Sequence, residues 1–264
     1  MTRRRLDSEL VRRGLAASRT EAQQAVHAGL VRVGGVPATK VATLVGGDEP
    51  VDIVRPPRRF VSRGGEKLDA AIQRFAVDVA GADALDAGAS TGGFTDCLLQ
   101  AGARRVVAVD VGYGQLAWTL RHDERVIVLE RTNVRALQPS DLPYTPTLVV
   151  ADLSFISLRT VMPALVAVSA PEAHAIMLVK PQFEAGPDAV GRGGVVRDPE
   201  VWMRVITAVA AAAAAAGFPP QGVMASPIRG PAGNVEFLMW ARRDAVAVPV
   251  DLDRAVAEAR EVAA

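Results

Sequence analysis

Hydrophobic and polar positions change rhythm near residue 65. Before it, apolar positions come in short groups. A helix is predicted over about Asp7 to Arg13, stopped by Gly14. Ser18-Arg19-Thr20-Glu21 has the form of a capping box, and a second helix runs from it to about Ala28 before Gly29 ends it. Leu30 to Val33 and Val51 to Val54 read as short strands, with Gly34-Gly35 as a tight turn between strand segments. From Gly65 onward helix and strand patterns alternate. A helix over about Glu66 to Phe75 leads into a strand at Ala84 to Asp86, a helix over Gly93 to Ala101, a strand at 105–109 and a helix over about Gln115 to Leu120. Apolar strands follow at 126–129, 147–150 and 175–179, then a helix over about Glu200 to Ala216, a strand at Gly222 to Ala225, an alternating strand at Asn234 to Trp240 and a terminal helix over 252–262. The rhythm predicts a mostly parallel sheet of an α/β fold with right-handed crossovers and a final antiparallel hairpin, preceded by a small α+β module.

The join between the first of those strands and its helix carries the chemistry. Asp86-Ala87-Gly88-Ala89-Ser90-Thr91-Gly92-Gly93-Phe94 is a strand running into a glycine-rich turn that opens a helix, the place where such folds hold a nucleotide-like cofactor. Its G-x-x-x-G-G spacing lacks the close glycines that let backbone N–H groups grip a pyrophosphate, which disfavours a nicotinamide dinucleotide. S-adenosylmethionine, which has no phosphates, suits the turn better, and Asp110 at the end of the next strand is placed to accept both ribose hydroxyls. Glycines serving packing alone are the alternative. Residues just after the strands are Asp86, Asp110, Asn133, Asp152 and Lys180, where an open parallel sheet places its ligands.

Charge changes the picture of the first module. The net charge of the 264 residues is +1, yet residues 1–67 hold 13 Lys and Arg against 7 Asp and Glu. A positive patch of this kind favours a polyanion such as nucleic acid, or is plain solvated surface. No secretory signal pattern is read at the N-terminus, and Cys97 is a single cysteine without a partner, so a cytoplasmic protein is expected. The longest apolar run, Ala208 to Ala216, is about half the length of a membrane span, and no membrane association is expected. His27, His122 and His174 lack ligand spacing, so no metal is expected. Trp118, Trp202 and Trp240 sit in apolar patterns that point to packing.

Two resemblances sharpen these readings. Arg5-Leu6-Asp7-x-x-Leu10-Val11-x-Arg13-Gly14-Leu15, Ser18-Arg19 and Ala28-Gly29-x-Val31-x-Val33-x-Gly35 resemble an S4 RNA-binding domain. That implies RNA contacts from Arg4, Arg5, Arg12, Arg13, Ser18, Arg19 and Arg32 over residues 1–57, with Arg58 and Arg59 touching RNA or solvated in a linker at 58–63. From Ser62-Arg63-Gly64-Gly65-x-Lys67-Leu68 through the glycine turn, Asp110-Val111-Gly112-Tyr113-Gly114-Gln115-Leu116, Ala151-Asp152-Leu153-Ser154-Phe155-Ile156-Ser157 and Lys180-Pro181-Gln182-Phe183-Glu184, residues 64–264 resemble the FtsJ-related ribosomal-RNA methyltransferases.

The second resemblance implies a Rossmann-like methyltransferase with a seven-stranded, mostly parallel sheet. It would be a monomer that uses S-adenosylmethionine to methylate the ribose 2′-hydroxyl of cytidine in 16S or 23S ribosomal RNA, with ribosomal subunits as partners. The family's Lys-Asp-Lys-Glu tetrad falls on Lys67, Asp152, Lys180 and Glu236. Asp86 and the turn from Gly88 through Ser90, Thr91, Gly92, Gly93 and Phe94 would hold the methionine end, Asp110 the ribose and Asn133 the adenine, with Asp152 also at the cofactor and Phe155 as an apolar wall.

A ribose hydroxyl is a weak acid, so a neutral lysine must take its proton; Lys180 is the candidate, with Lys67 depressing its pKa or orienting the ribose. The alternative is two surface salt bridges, with Glu236 facing solvent from an alternating strand. The loop from Phe183 to Pro199 is either a closing flap or passive surface. A non-catalytic cofactor sensor and a membrane-active haemolysin are the competing function classes; the intact motifs disfavour the first, and the lack of a long apolar run the second.

Overall fold

The computed structural model describes residues 3–16, 18–54 and 59–263. Arg58, assigned above to RNA contact, lies outside the described residues, as does most of the Pro-rich stretch around it. The chain divides into two units, Met1–Arg59 and Phe60–Ala264.

In the small unit, β1 (Arg4–Arg5) pairs antiparallel with β4 (Leu44–Val45), and the helices α1 (Leu6–Arg12) and α2 (Arg19–His27) follow β1. Ser18 caps α2 by accepting the Glu21 backbone N–H at 3.2 Å. A second sheet has the order β3 (Val36–Pro37), β2 (Val31–Val33), β5 (Val51–Ile53). Gly34 and Gly35 join β2 to β3 with φ of +59° and +82°, the geometry of a primed hairpin turn. Leu6, Leu10, Ala22, Val26, Val31 and Val45 close the core between helices and strands.

The large unit runs α3 (Gly64–Phe75), β6 (Asp83–Ala87), α4 (Gly93–Gln100), β7 (Arg105–Val109), α5 (Trp118–Arg121), β8 (Val126–Leu129), β9 (Leu148–Ala151), α6 (Leu158–Val168), β10 (His174–Val179), α7 (Pro181–Glu184), α8 (Pro199–Ala216), β11 (Pro220–Ala225), β12 (Phe237–Arg242) and α9 (Leu252–Ala263). The sheet order is β11-β12-β10-β9-β6-β7-β8, parallel from β10 through β8, with β12 antiparallel to both β10 and β11. The chain leaves the central β6 toward β8 and returns beyond it to β9, so a topological switch lies between β6 and β9. Side chains alternate across the sheet. Ala84, Val106, Leu148 and Ile176 pack with Leu68 and Leu98 of α3 and α4, whereas Leu85, Val107, Val149 and Met177 pack with Leu165, Ile206 and Val256 of α6, α8 and α9.

Four expectations change. The helix expected from Gln115 begins only at Trp118, and Gln115 instead receives the Ser90 hydroxyl at 3.3 Å. Trp118 is no core residue: it is 72% exposed, whereas Trp202 is buried. The last strand starts at Phe237, because the Asn234 side chain accepts from Val196 N and donates to Gly194 O, fixing its own stretch as a loop. Those same bonds tie down the segment 183–199, which also holds the end of α7, a 3-10 turn at Pro187–Ala189 and a bridge between Gly191 and Val195. By length and composition alone α8 is apolar enough to cross a membrane, but its Val201, Trp202, Val205, Ile206, Val209 and Ala213 face is buried in the core.

Candidate active site

At the carboxyl ends of the strands, Asp110 directly follows β7, Asp152 follows β9 and Lys180 follows β10. Glu236 directly precedes β12, and since Val179 pairs with Phe237, Lys180 and Glu236 are next in register. Gly88 opens the turn after β6 with φ of +91°, and a Cβ there would stand 2.6 Å from the Asp152 backbone oxygen. Only glycine allows this approach, which the Asp152 N–H bond to Ala87 O at 3.0 Å fastens.

Beside this junction lies a cavity of about 350 Å³, within the range typical of small-ligand sites. Gly88, Ser90, Asp110, Asn133, Asp152 and Phe155 line it, so six residues assigned to cofactor binding from sequence share one cleft. Val111, Gln115, Val134, Leu153, Ser154, Ile156 and Val161 complete the wall and were missed, although Val111, Val134 and Leu153 each directly follow a strand-end residue already singled out. Thr91 is exposed and outside the lining; Gly92, Gly93 and Phe94 are buried and also outside it. A Cβ on Gly92 would strike Leu120 and one on Gly93 would strike Ser62, so these glycines make room for packing. The Gly93 contact sets the start of α4 against the start of α3, the helix that carries Lys67.

Asp86 lies fully buried under the turn. Its Oδ2 accepts from Thr95 Oγ1 at 2.6 Å, while Oδ1 has no partner among the described residues. Burial, with the Asp152 and Asp110 charges adding to it, pushes its carboxyl up to about 7. An unpartnered buried carboxylate oxygen calls for a donor, best a cation. Asp110 accepts from Ser90 N at 2.8 Å and Gly112 N at 2.7 Å, which fixes the carboxylate and leaves it further lone pairs. The Asn133 side chain caps a 3-10 turn by accepting from Arg135 N. Phe155 holds a left-handed backbone with φ of +62°, is 91% exposed, and sets its ring 5.1 Å from that of Phe183.

The four tetrad positions form two ion pairs. Lys67 Nζ lies 2.5 Å from Glu236 Oε2, and Lys180 Nζ lies 2.6 Å from Asp152 Oδ1 while donating to Ser154 Oγ at 2.9 Å. The surface-salt-bridge alternative fails, because Lys67, Lys180 and Glu236 are all buried. Glu236 does not face solvent: it is 1% exposed, and a Cβ on Gly230 would stand 2.5 Å from its Oε1. Glu184 joins the two loops of the site, accepting from Ser157 Oγ and Leu158 N at 2.6 Å each, with Arg159 Nε at 3.2 Å.

The small unit's arginines need one revision. Asp7 and Glu9 are buried, and they collect guanidinium groups. Arg5 and Arg19 pair with Asp7, Arg12 and Arg13 with Glu9. Arg13 also donates to the Glu49, Gly46 and Gly47 carbonyls and is spent inside the unit, not free for phosphate; Ser18 is spent as a cap. Arg4, Arg32 and Arg59 are exposed. Among the described residues no group of three or more His, Cys, Asp or Glu could hold a metal ion.

Known proteins match both units. An FtsJ-like methyltransferase model matches residues 60–243 and an S4 domain model residues 4–51. The chain is 55% identical over 241 residues to the 16S/23S rRNA (cytidine-2′-O)-methyltransferase TlyA of Mycobacterium tuberculosis, covering 91% of this chain and 90% of that one. A solved hemolysin-labelled protein from Streptococcus thermophilus superposes with a TM-score of 0.80 at 38% identity, over 99% of this chain and 97% of the other. An S-adenosylmethionine-dependent methyltransferase from Mesorhizobium loti shares the fold, with a TM-score of 0.50 at 15% identity over 66% of this chain and 96% of its own. The seven-stranded, mostly parallel sheet is therefore a methyltransferase fold, and the chain belongs to the FtsJ-like methyltransferase family, with an S4 domain ahead of the methyltransferase unit.

Proposed function

We propose that the protein is a ribosomal RNA 2′-O-methyltransferase that modifies cytidine ribose in 16S or 23S RNA and binds its substrate through the S4 unit. The observation that carries this reading is the pair of buried lysine–carboxylate bridges at the ends of β9, β10 and β12, one of whose carboxylates, Asp152, lines the cavity. The name of the tuberculosis relative supports the acceptor.

The residues present fit S-adenosylmethionine. Asp86 Oδ1 offers a buried acceptor for the methionine ammonium, Gly88 opens the cradle that a Cβ would fill, and Asp110 retains lone pairs for the ribose hydroxyls. Asn133 and Phe155 stand on the wall for the adenine and an apolar face. When bound, the cofactor supplies an electrophilic methyl group on a sulfonium. The ammonium of Lys180 that pairs with Asp152 must first release a proton to solvent, and the neutral Nζ then takes the proton of the attacking 2′-hydroxyl. Asp152 and Ser154 hold that nitrogen in place, and Glu236 holds Lys67 to orient the ribose. With an activated donor, much of the rate comes from alignment of nucleophile, carbon and leaving sulfur.

Lys180→Ala is expected to abolish methyl transfer to ribosomal subunits from a tritiated donor while cofactor and RNA binding persist. Wild-type transfer by that variant would refute the assignment. Mapping of methylated riboses in ribosomal RNA from cells with and without the protein identifies the acceptor.

A further inference from the structure

A second cluster beside the carboxyl edge of the sheet is used neither by the tetrad nor by the cavity. Trp118, at the start of α5, is 72% exposed, and Tyr113 is 69% exposed. Each ring is flanked by a nitrogen-rich group. The Arg131 guanidinium carbon lies 4.4 Å from the centroid of the Tyr113 ring, and the His122 ring centroid lies 4.3 Å from that of the Trp118 indole. His122 Nδ1 is 2.8 Å from the Trp118 carbonyl oxygen, which holds the imidazole against the indole.

The mounting is rigid. Arg131 adopts a left-handed backbone with φ of +55°, fastened by its N–H to Gly112 O at 3.0 Å. The Glu130 carboxylate accepts from Gly114 N at 2.8 Å and from the Arg121 guanidinium, joining the loop after β7 to α5. Ala117 N donates to Thr91 O at 3.1 Å, so the cluster is continuous with the glycine turn, and Gln115 beside it lines the cavity. Two exposed aromatic rings with exposed basic neighbours, held at the edge of a reaction cleft, match the needs of a single-stranded nucleic acid. Bases have π faces to stack, and the backbone carries negative charge.

We propose that Tyr113–Arg131 and Trp118–His122 form a stacking platform for unpaired nucleotides that flank the methyl acceptor. The proposal rests on the reading that the substrate is ribosomal RNA.

The test compares Trp118→Ala, Tyr113→Ala and Trp118→Phe with the wild-type full chain. It measures binding to ribosomal subunits and to protein-free ribosomal RNA, cofactor binding by calorimetry, and methyl transfer. Trp118→Ala is expected to weaken RNA binding about 5- to 150-fold, the range for loss of one stacked base. Trp118→Phe should recover most of it, with cofactor affinity and melting temperature unchanged. Iodide should quench Trp118 in the free protein and be excluded once RNA saturates it. Wild-type RNA affinity in both alanine variants overturns the platform. So does loss of binding to subunits with unchanged binding to protein-free RNA, which would mark a protein-docking face. If the wild-type protein methylates no ribose, the enzymatic reading fails, and the RNA-binding comparison still decides the platform.

Discussion

Lys67 and Glu236 are a buried ion pair 2.5 Å apart, and removing one partner leaves the other charge without compensation. Lys67→Met strands a carboxylate that is 1% exposed. Breaking a buried pair in this way costs about 3–5 kcal/mol. In a unit of this size about 1 kcal/mol moves the midpoint by roughly 2–4 °C, so the variant should melt about 6–20 °C below wild type. Replacing both charges, in Lys67→Met/Glu236→Leu, should restore most of the stability, since an apolar pair of similar volume is often neutral or better. Methyl transfer should stay lost in both variants. The assays are calorimetric melting and tritium transfer to ribosomal subunits. A single variant melting within about 2 °C of wild type would refute the energetic argument, and an active double variant would refute the role given to the pair.

Asp86 supplies a pH prediction. Its carboxyl is raised to about 7, so below that pH the folded protein holds it neutral and unable to pair with an ammonium. Affinity for S-adenosylmethionine should therefore rise with pH up to about 7 and level off above it. Titration calorimetry from pH 6 to 8.5 checks this, and Asp86→Asn should flatten the profile at low affinity. The sign for stability is the reverse: with the folded value above the unfolded one, the contribution is full at acid pH and lost as pH rises through about 7. Gly88→Ala should destabilise by about 2–5 kcal/mol, combining left-handed backbone strain with overpacking against the Asp152 carbonyl, and should weaken cofactor binding. Denaturant unfolding decides it; a midpoint unchanged from wild type would show that the β6–β9 junction yields easily.

The legible part of this fold was the part that repeats. Strands at 105–109 and 126–129 stand where their apolar runs place them; the first is buried on both faces, which requires a continuous run. What escaped were elements set by partners distant in sequence. The two-residue pairing of Arg4–Arg5 with Leu44–Val45 is too short for any periodicity to show. Helix α6 carries Pro163 in its interior, a residue that reads locally as a helix breaker, so the apolar pattern sets no bounds for it. The start of β12 is decided by Asn234 side-chain bonds to residues some forty positions earlier. The site follows the same rule: strand-end order pointed to Asp152 and Lys180, whereas the burial of Glu236 beside Gly230 and the Lys180 bond to Ser154 depend on packing that no local pattern records.

The arginines gathered on Asp7 and Glu9 change what the basic module can offer a polyanion. Charge count alone would give each arginine as a mobile cation whose binding releases a counterion, so that affinity falls steeply as salt is added. Here four guanidinium groups already share two buried carboxylates and part of their charge is spent. Salt dependence should therefore be shallower than the tally of arginines suggests. In exchange, Arg5, Arg12 and Arg19 are held in fixed orientations before any ligand arrives. Docking then freezes little additional side-chain motion, and a surface of this kind discriminates by the spacing of phosphates more than by their number.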